Sequence, residues 1–162
     1  MASGKSTIGQ KLAQTLNYEF IDLDDYIEQK YQKSIKQIFE QQGEDHFRII
    51  EIEALREVSS IEGNIVIAAG GGTSCFYNSI DFMNKTGVTV YIKLEVAELV
   101  ARLIESKTDR PLLWGKTEQE LNEYILRMLD ERKKYYEKAK ITINASNVDI
   151  VDIANTINAA IN

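Results

Sequence analysis

The stretch "MASGKSTIG" sets a glycine, a lysine and a hydroxyl side by side at Gly4, Lys5 and Ser6. These three form the second half of the phosphate-binding pattern G-x-x-x-x-G-K-[ST]. Backbone N–H groups of Ser3, Gly4, Lys5 and Ser6 are expected to ring a phosphate at the positive end of the helix that follows. Lys5 would reach the β and γ oxygens of a nucleotide, and the Ser6 hydroxyl would ligate Mg²⁺. Counting back five places puts the first glycine of the pattern one position ahead of Met1, so the chain is read as beginning inside the loop. The competing reading is a charged tail with a helix cap at Ser3.

Other chemistry-bearing groups lie downstream. On a strand, Asp22 and Asp24 would face one side, and they stand where "YEFIDLD" should end; helix capping by Asp24 or Asp25 is the alternative. Gly70, Gly71 and Gly72 follow an apolar run and strip side chains from a place where backbone could approach a ligand. Pro111 disfavours helical geometry at Arg110, which places that arginine in a loop. His46, the one histidine, is expected to be exposed and not a metal ligand. Cys75 has no nearby base to make it a nucleophile. Lys133 and Lys134 suit a solvated helix face better than a nucleic-acid patch.

These groups need elements to position them. Residues 6–17 carry Ile8, Leu12, Ala13 and Leu16 at helical spacing. The segments "DDYIEQKYQ", "SIKQIFEQQG" and "EDHFRIIEIEALREVSS" read as three helices, with Gly43 stopping the second. "NIVIAAGGG", "TGVTVYIKL" and "KITIN" read as strands. "EVAELVARLIES", "EQELNEYILRMLDERKKYYEKA" and "VDIVDIANTINAAI" read as helices. Alternating strands and helices imply an α/β fold, a parallel sheet covered on both faces, with ligands beyond the carboxyl ends of the strands.

The 162 residues suit one domain, 1–162, and 44% hydrophobic with 27% charged residues is ordinary for a globular protein. A net charge of −6 argues against a nucleic-acid surface. A single cysteine excludes an intrachain disulfide and suits a reducing, cytoplasmic setting. No apolar run is long enough for a membrane span, and no long apolar heptad asks for a partner, so a monomer is expected.

"ASGKST", "FIDLDDYIE", "GEDHFRIIE", "AAGGGT", "DRPLL" and "DERKKYY", in this order and spacing, resemble the shikimate kinase family from residue 2 to about 147. The resemblance implies a three-layer P-loop kinase fold with a parallel sheet of order 2-3-1-4-5, whose first, central strand is missing from this chain. It implies ATP-dependent phosphorylation of the 3-hydroxyl of shikimate, on the route to chorismate and aromatic amino acids, with ATP as co-substrate and Mg²⁺ as cofactor. Shikimate-binding helices would span about 23–59 and a lid about 105–117, with Trp114 in it. Ala2, Ser3, Gly4, Lys5, Ser6 and Thr7 would hold the phosphates, with Arg110 reaching over them and Arg102 near adenine. Ser6 and, through water, Asp22 would hold the metal. Asp24 would bind shikimate hydroxyls and orient or deprotonate the nucleophile. Arg48, steadied by Glu51, and Arg132 would take the carboxylate, and Gly71 N–H would contact shikimate. Lys5, Asp24 and Arg110 would be catalytic.

The chain departs from the family at Ala68 and Ala69, where a hydroxyl usually precedes the glycines; at "KKYY", where a Pro-Leu-Tyr-like stretch is common; and in "NASNVD", which lacks a basic residue. Loss of a central strand would forfeit about four buried apolar side chains, about 1.5–3 kcal/mol each. Other readings are a different P-loop small-molecule kinase and a truncated remnant that binds its ligand without turnover.

Overall fold

A computed structural model of the chain describes residues 3–105, 117–147 and 149–161. In chain order it runs α1 (Lys5–Leu16), β1 (Glu19–Asp22), α2 (Leu23–Tyr31), α3 (Ile35–Ser59), β2 (Ile65–Ala68), α4 (Ser79–Thr86), β3 (Val90–Lys93), α5 (Val96–Glu105), α6 (Glu118–Tyr136), β4 (Ile141–Asn144) and α7 (Ile150–Ile161). A 3-10 turn at Thr73–Cys75 follows the glycines.

Helix ends follow local chemistry. Gly4 adopts φ 79°, a left-handed geometry that costs glycine little, and opens α1 without a side-chain cap or an acidic residue in the first turn. Asn17, also left-handed, closes it, as the sequence implied. Capping boxes start α3, through Ser34 and Gln37, and α6, through Thr117 and Glu120. Gly43 breaks α3 at φ 81°, ψ 173°, so the two helices read from the sequence are present with a kink between them. The short α4 was not legible in that reading.

Among the described residues the strands form two parallel pairs, not one continuous sheet. β1 lies beside β2 with Glu19 opposite Ile65 and Asp22 opposite Ala68. β3 lies beside β4 with Val90 opposite Ile141 and Lys93 opposite Asn144.

Among the described residues three apolar groups hold the elements. Leu23 and Ile27 of α2 pack with Ile38, Phe47, Leu55 and Val58 of α3, and Ile21 and Ile67 from β1 and β2 rest against them. Leu99 and Leu103 of α5 pack with Leu121 and Ile125 of α6. Leu12 of α1 joins Ile153, Ala154 and Ile157 of α7. That third group touches Val66 from one strand pair and Val90, Ile141 and Ile143 from the other, so the α1–α7 layer spans both.

Candidate active site

The first turn of α1, the end of β1 and the start of α2 meet in one place. Helix α1 leaves its leading N–H groups open to an anion because Gly4 offers no side chain to cap them. Lys5 Nζ stands 3.8 Å from Asp22 Oδ2 and 3.9 Å from Asp24 Oδ2. The Ser6 hydroxyl donates to Asp22 Oδ2 at 2.5 Å. The four groups singled out from spacing alone are therefore neighbours.

The backbone beneath the two aspartates differs from the expected strand. β1 ends at Asp22, which is itself the N-cap of α2 and accepts from Asp24 N–H at 3.1 Å. The cap is thus Asp22, not Asp24 or Asp25, and Asp24 lies in the first turn of the helix. An Asx-type bond of this sort lets one carboxylate serve two tasks: Oδ1 caps while Oδ2 faces Ser6. Withdrawal from solvent raises the Asp24 carboxyl above its ordinary value of 3.8; Lys5 opposes the rise, while Asp22, Glu51 and Asp25 add to it.

A second group surrounds Arg48, which is 9% exposed on α3. Arg48 Nη1 donates to Glu51 Oε2 at 2.7 Å, and Nη2 and Nε donate to Glu44 Oε1 at 2.9 and 3.2 Å. These bonds use three of the five N–H groups and leave one on each terminal nitrogen for a ligand. Burial works against the charge, but Glu51 and Glu44 keep the guanidinium pKa above its ordinary value. The Phe76 ring lies 4.6 Å from the guanidinium carbon, within cation–π range. Glu51, 3% exposed, accepts a second bond from the Thr73 hydroxyl at 2.5 Å.

The glycine turn lies between these groups. A β-carbon on Gly70 would stand 3.0 Å from Glu51 Oε1 and 3.6 Å from Asp24 Oδ1. On Gly72 it would stand 2.7 Å from both terminal nitrogens of Arg48, closer than real β-carbons come. Only glycine lets that guanidinium lie against the chain. Gly71 O accepts from the Tyr136 hydroxyl at 2.6 Å, and the Tyr136 ring stacks on Tyr91 with centroids 5.0 Å apart.

Arg132, one turn before Tyr136 on α6, is half-buried and hydrogen-bonds that tyrosine. Burial pushes the Tyr136 phenol up, with Arg132 pulling it down. Both Arg132 and Arg48 act on the Cys75 thiol, which burial nevertheless keeps above its ordinary range. The two arginines, far apart in sequence, both lie near the glycine turn, Arg48 against Gly72 and Arg132 beside the Tyr136 that bonds Gly71. Arg102 of α5 puts Nη1 3.6 Å from the place of a β-carbon on Gly4, over the phosphate turn. His46 is exposed, as expected. Ala2, Arg110, Pro111 and Trp114 lie outside the described residues.

Thr73, Glu44 and Tyr136 belong to this constellation and were not singled out from the sequence. Glu44 had a signal, being four residues before Arg48 on a helix. Among the described residues no cluster of three or more His, Cys, Asp or Glu is set to hold a metal. One hydroxyl and one carboxylate at hand suit Mg²⁺, which keeps several waters and shares its sphere with substrate phosphates. No helix among the described residues is long and apolar enough to cross a membrane.

A family model described as shikimate kinase matches residues 1–162. Shikimate kinase from Parabacteroides distasonis is 43% identical over 161 residues, covering 97% of this chain and 92% of that one. The crystal structure of shikimate kinase from Bacteroides thetaiotaomicron superposes with a TM-score of 0.90 at 37% identity, covering 99% of this chain and 93% of that one. The structure of shikimate kinase from Acinetobacter baumannii in complex with shikimate gives 0.83 at 35% identity, with 99% and 88% covered.

Proposed function

The chain belongs to the shikimate kinase family, and from that premise we propose how its residues share the transfer of the terminal phosphoryl group of ATP to the 3-hydroxyl of shikimate. The observation that carries the assignment is the meeting of the open α1 turn, Lys5 and the Asp22–Asp24 pair with the Arg48 and glycine-turn group, linked by Gly70.

Ser3, Gly4, Lys5, Ser6 and Thr7, together with Ala2, bind the β and γ phosphates. Lys5 lies beside the acceptor-side carboxylate and so sits between phosphate and nucleophile. Asp24 holds the acceptor hydroxyl and takes its proton late, because phosphoryl transfer rests mainly on positioning and charge stabilisation. Arg48 and Arg132 grip the shikimate carboxylate, Arg48 through its two remaining N–H groups. Gly71 N–H binds shikimate while its carbonyl is held by Tyr136. Arg102 covers the nucleotide side, and Arg110 offsets charge on the transferring group. Ser6 and Asp22, the latter through water, would hold Mg²⁺, which when bound neutralises phosphate charge. The working unit is a single domain, 1–162, with shikimate-binding helices at about 23–59 and a lid at about 105–117. It acts as a monomer in the cytoplasm on these two small molecules, without nucleic acid or membrane.

The test is shikimate-dependent ADP release in the presence of Mg²⁺. The expected result is turnover that needs both substrates and falls at least about 100-fold in Lys5→Met. Folded protein with no release under any condition would refute the reading. Shikimate binding without release would point to the ligand-binding remnant instead.

A further inference from the structure

Arg48 belongs to α3, yet much of what fixes its guanidinium comes from the chain after β2. The place of a β-carbon on Gly72 is 2.7 Å from both terminal nitrogens and 2.8 Å from the carbon between them. Three near-equal distances put Gly72 over the face of the group and not at its edge, so the edge N–H groups stay open on that side. One residue on, the Thr73 hydroxyl donates to Glu51 Oε1 at 2.5 Å. Further along, the Phe76 ring lies 4.6 Å from the guanidinium carbon, nearer than the rings of Phe47 at 5.3 Å and Phe39 at 6.0 Å.

Helix α3 alone would hold Arg48 loosely. The Glu44 side chain is 56% exposed, and an ion pair in water contributes little. Glu51 is buried, but a carboxylate held at one oxygen can still turn about its last side-chain bond. Thr73 takes one oxygen while Arg48 takes the other. Thr73 is itself buried, and its N–H donates to Gly70 O at 3.1 Å, so the glycine turn fixes the hydroxyl. Phe76 is anchored as well. Its carbonyl accepts from the Ser79 N–H at 2.9 Å and from the Ser79 hydroxyl at 2.7 Å. Tyr77 and Asn78, between them, both adopt left-handed backbone, with φ 51° and 55°, which a bulky residue seldom does. Such geometry persists only where the surroundings impose it, and it clusters at functional sites.

We infer that Thr73 and Phe76 are positioning residues for recognition of the acceptor's carboxylate: Thr73, through Glu51, sets the edge of Arg48 that meets it, and Phe76 sets the plane of the guanidinium. This rests on the reading of Arg48 as the partner of the shikimate carboxylate. A two-pronged bond between guanidinium and carboxylate demands a set plane and direction, and a fork ordered before binding loses less affinity to ordering.

Calorimetric binding to the full chain separates this role from plain structural support. The probes are shikimate, its primary carboxamide, which keeps the ring and hydroxyls but lacks the charge, and ATP with Mg²⁺. Thr73→Val should weaken shikimate at least about tenfold, because a buried carboxylate oxygen loses its donor, and Thr73→Ser should recover affinity to within about threefold. Phe76→Leu, which keeps apolar bulk without the ring, should weaken shikimate about threefold. Affinity for the carboxamide and for ATP should change less than about twofold in each variant, since selectivity for the charge is a difference of two affinities. Equal losses for shikimate and carboxamide, a matching loss for ATP, a Thr73→Val that binds like the parent, or a Thr73→Ser no better than Thr73→Val would overturn the inference. Should Thr73→Val not fold, Phe76→Leu decides by the same comparison. A parent that binds no shikimate, or binds acid and amide alike, would sink the reading of Arg48 and this inference with it. A parent preference for the acid that the variants leave intact overturns the inference alone.

Discussion

Asp24 lies 3.9 Å from Lys5 in the first turn of α2, and its carboxyl is raised chiefly because it is drawn out of water. A raised acid binds its proton more tightly folded than unfolded. Between the ordinary carboxylate range and the raised value the folded chain therefore holds more protons, and stability falls as pH climbs through that window. Asp24→Asn should remove this penalty. Its melting temperature should exceed the parent's at pH 7, with the difference vanishing below about pH 4, the unperturbed carboxylate range. Shikimate-dependent turnover should fall about 100-fold or more, the usual worth of a positioned base. A melting series across pH, run beside the kinetic assay, checks both. The spacing of Gly4, Lys5, Ser6, Asp22 and Asp24 made their meeting legible, because local motifs set them at the ends of neighbouring elements. Thr73 and Tyr136 were not legible, since each is one hydroxyl whose partner is set by tertiary packing alone, Glu51 being 22 residues from the first and Gly71 65 from the second.

At the scale of elements, α3 carries both the acidic collar and the cation, and its direction is set at Gly43. That residue's φ of 81° and ψ of 173° belong to a region that essentially only glycine occupies. Nothing stands within 4 Å of a β-carbon there, so the cost of substitution is conformational and not steric. Gly43→Ala should lose about 1–3 kcal/mol of stability. It should also raise KM for shikimate more than it lowers kcat, because Glu44 and Arg48 follow immediately. Urea denaturation and steady-state kinetics measure the two effects. The kink was legible as a glycine between two helical patterns. The helix start at Ser79 was not: Asn78 precedes it in a left-handed conformation with no side-chain cap, so the usual opening signal is missing. Asp22 misled for the opposite reason, because a strand that ends on its own capping residue hands over to a helix within a single position.

For the whole molecule, the helical layer of α1 and α7 packs against both strand pairs. Leu12, 6% exposed, packs at its centre. Leu12→Ala should cost about 2–5 kcal/mol, and opening should rise in β1–β2 and β3–β4 together, as hydrogen exchange would report. The composition and the alternation of elements implied the α/β class, and the parallel pairing follows that reading. Which strand lies beside which depends on the assembled chain and not on any one segment.

Gly72 and Arg48 carry a consequence for how such a chain can change over generations. A side chain at residue 72 would displace the guanidinium, and a shorter cation at residue 48 would leave Glu51 buried with its charge unmet. Each position penalises change in the other, so single steps from either side lead downhill. A chain that keeps this guanidinium against the turn is thereby held to glycine at residue 72.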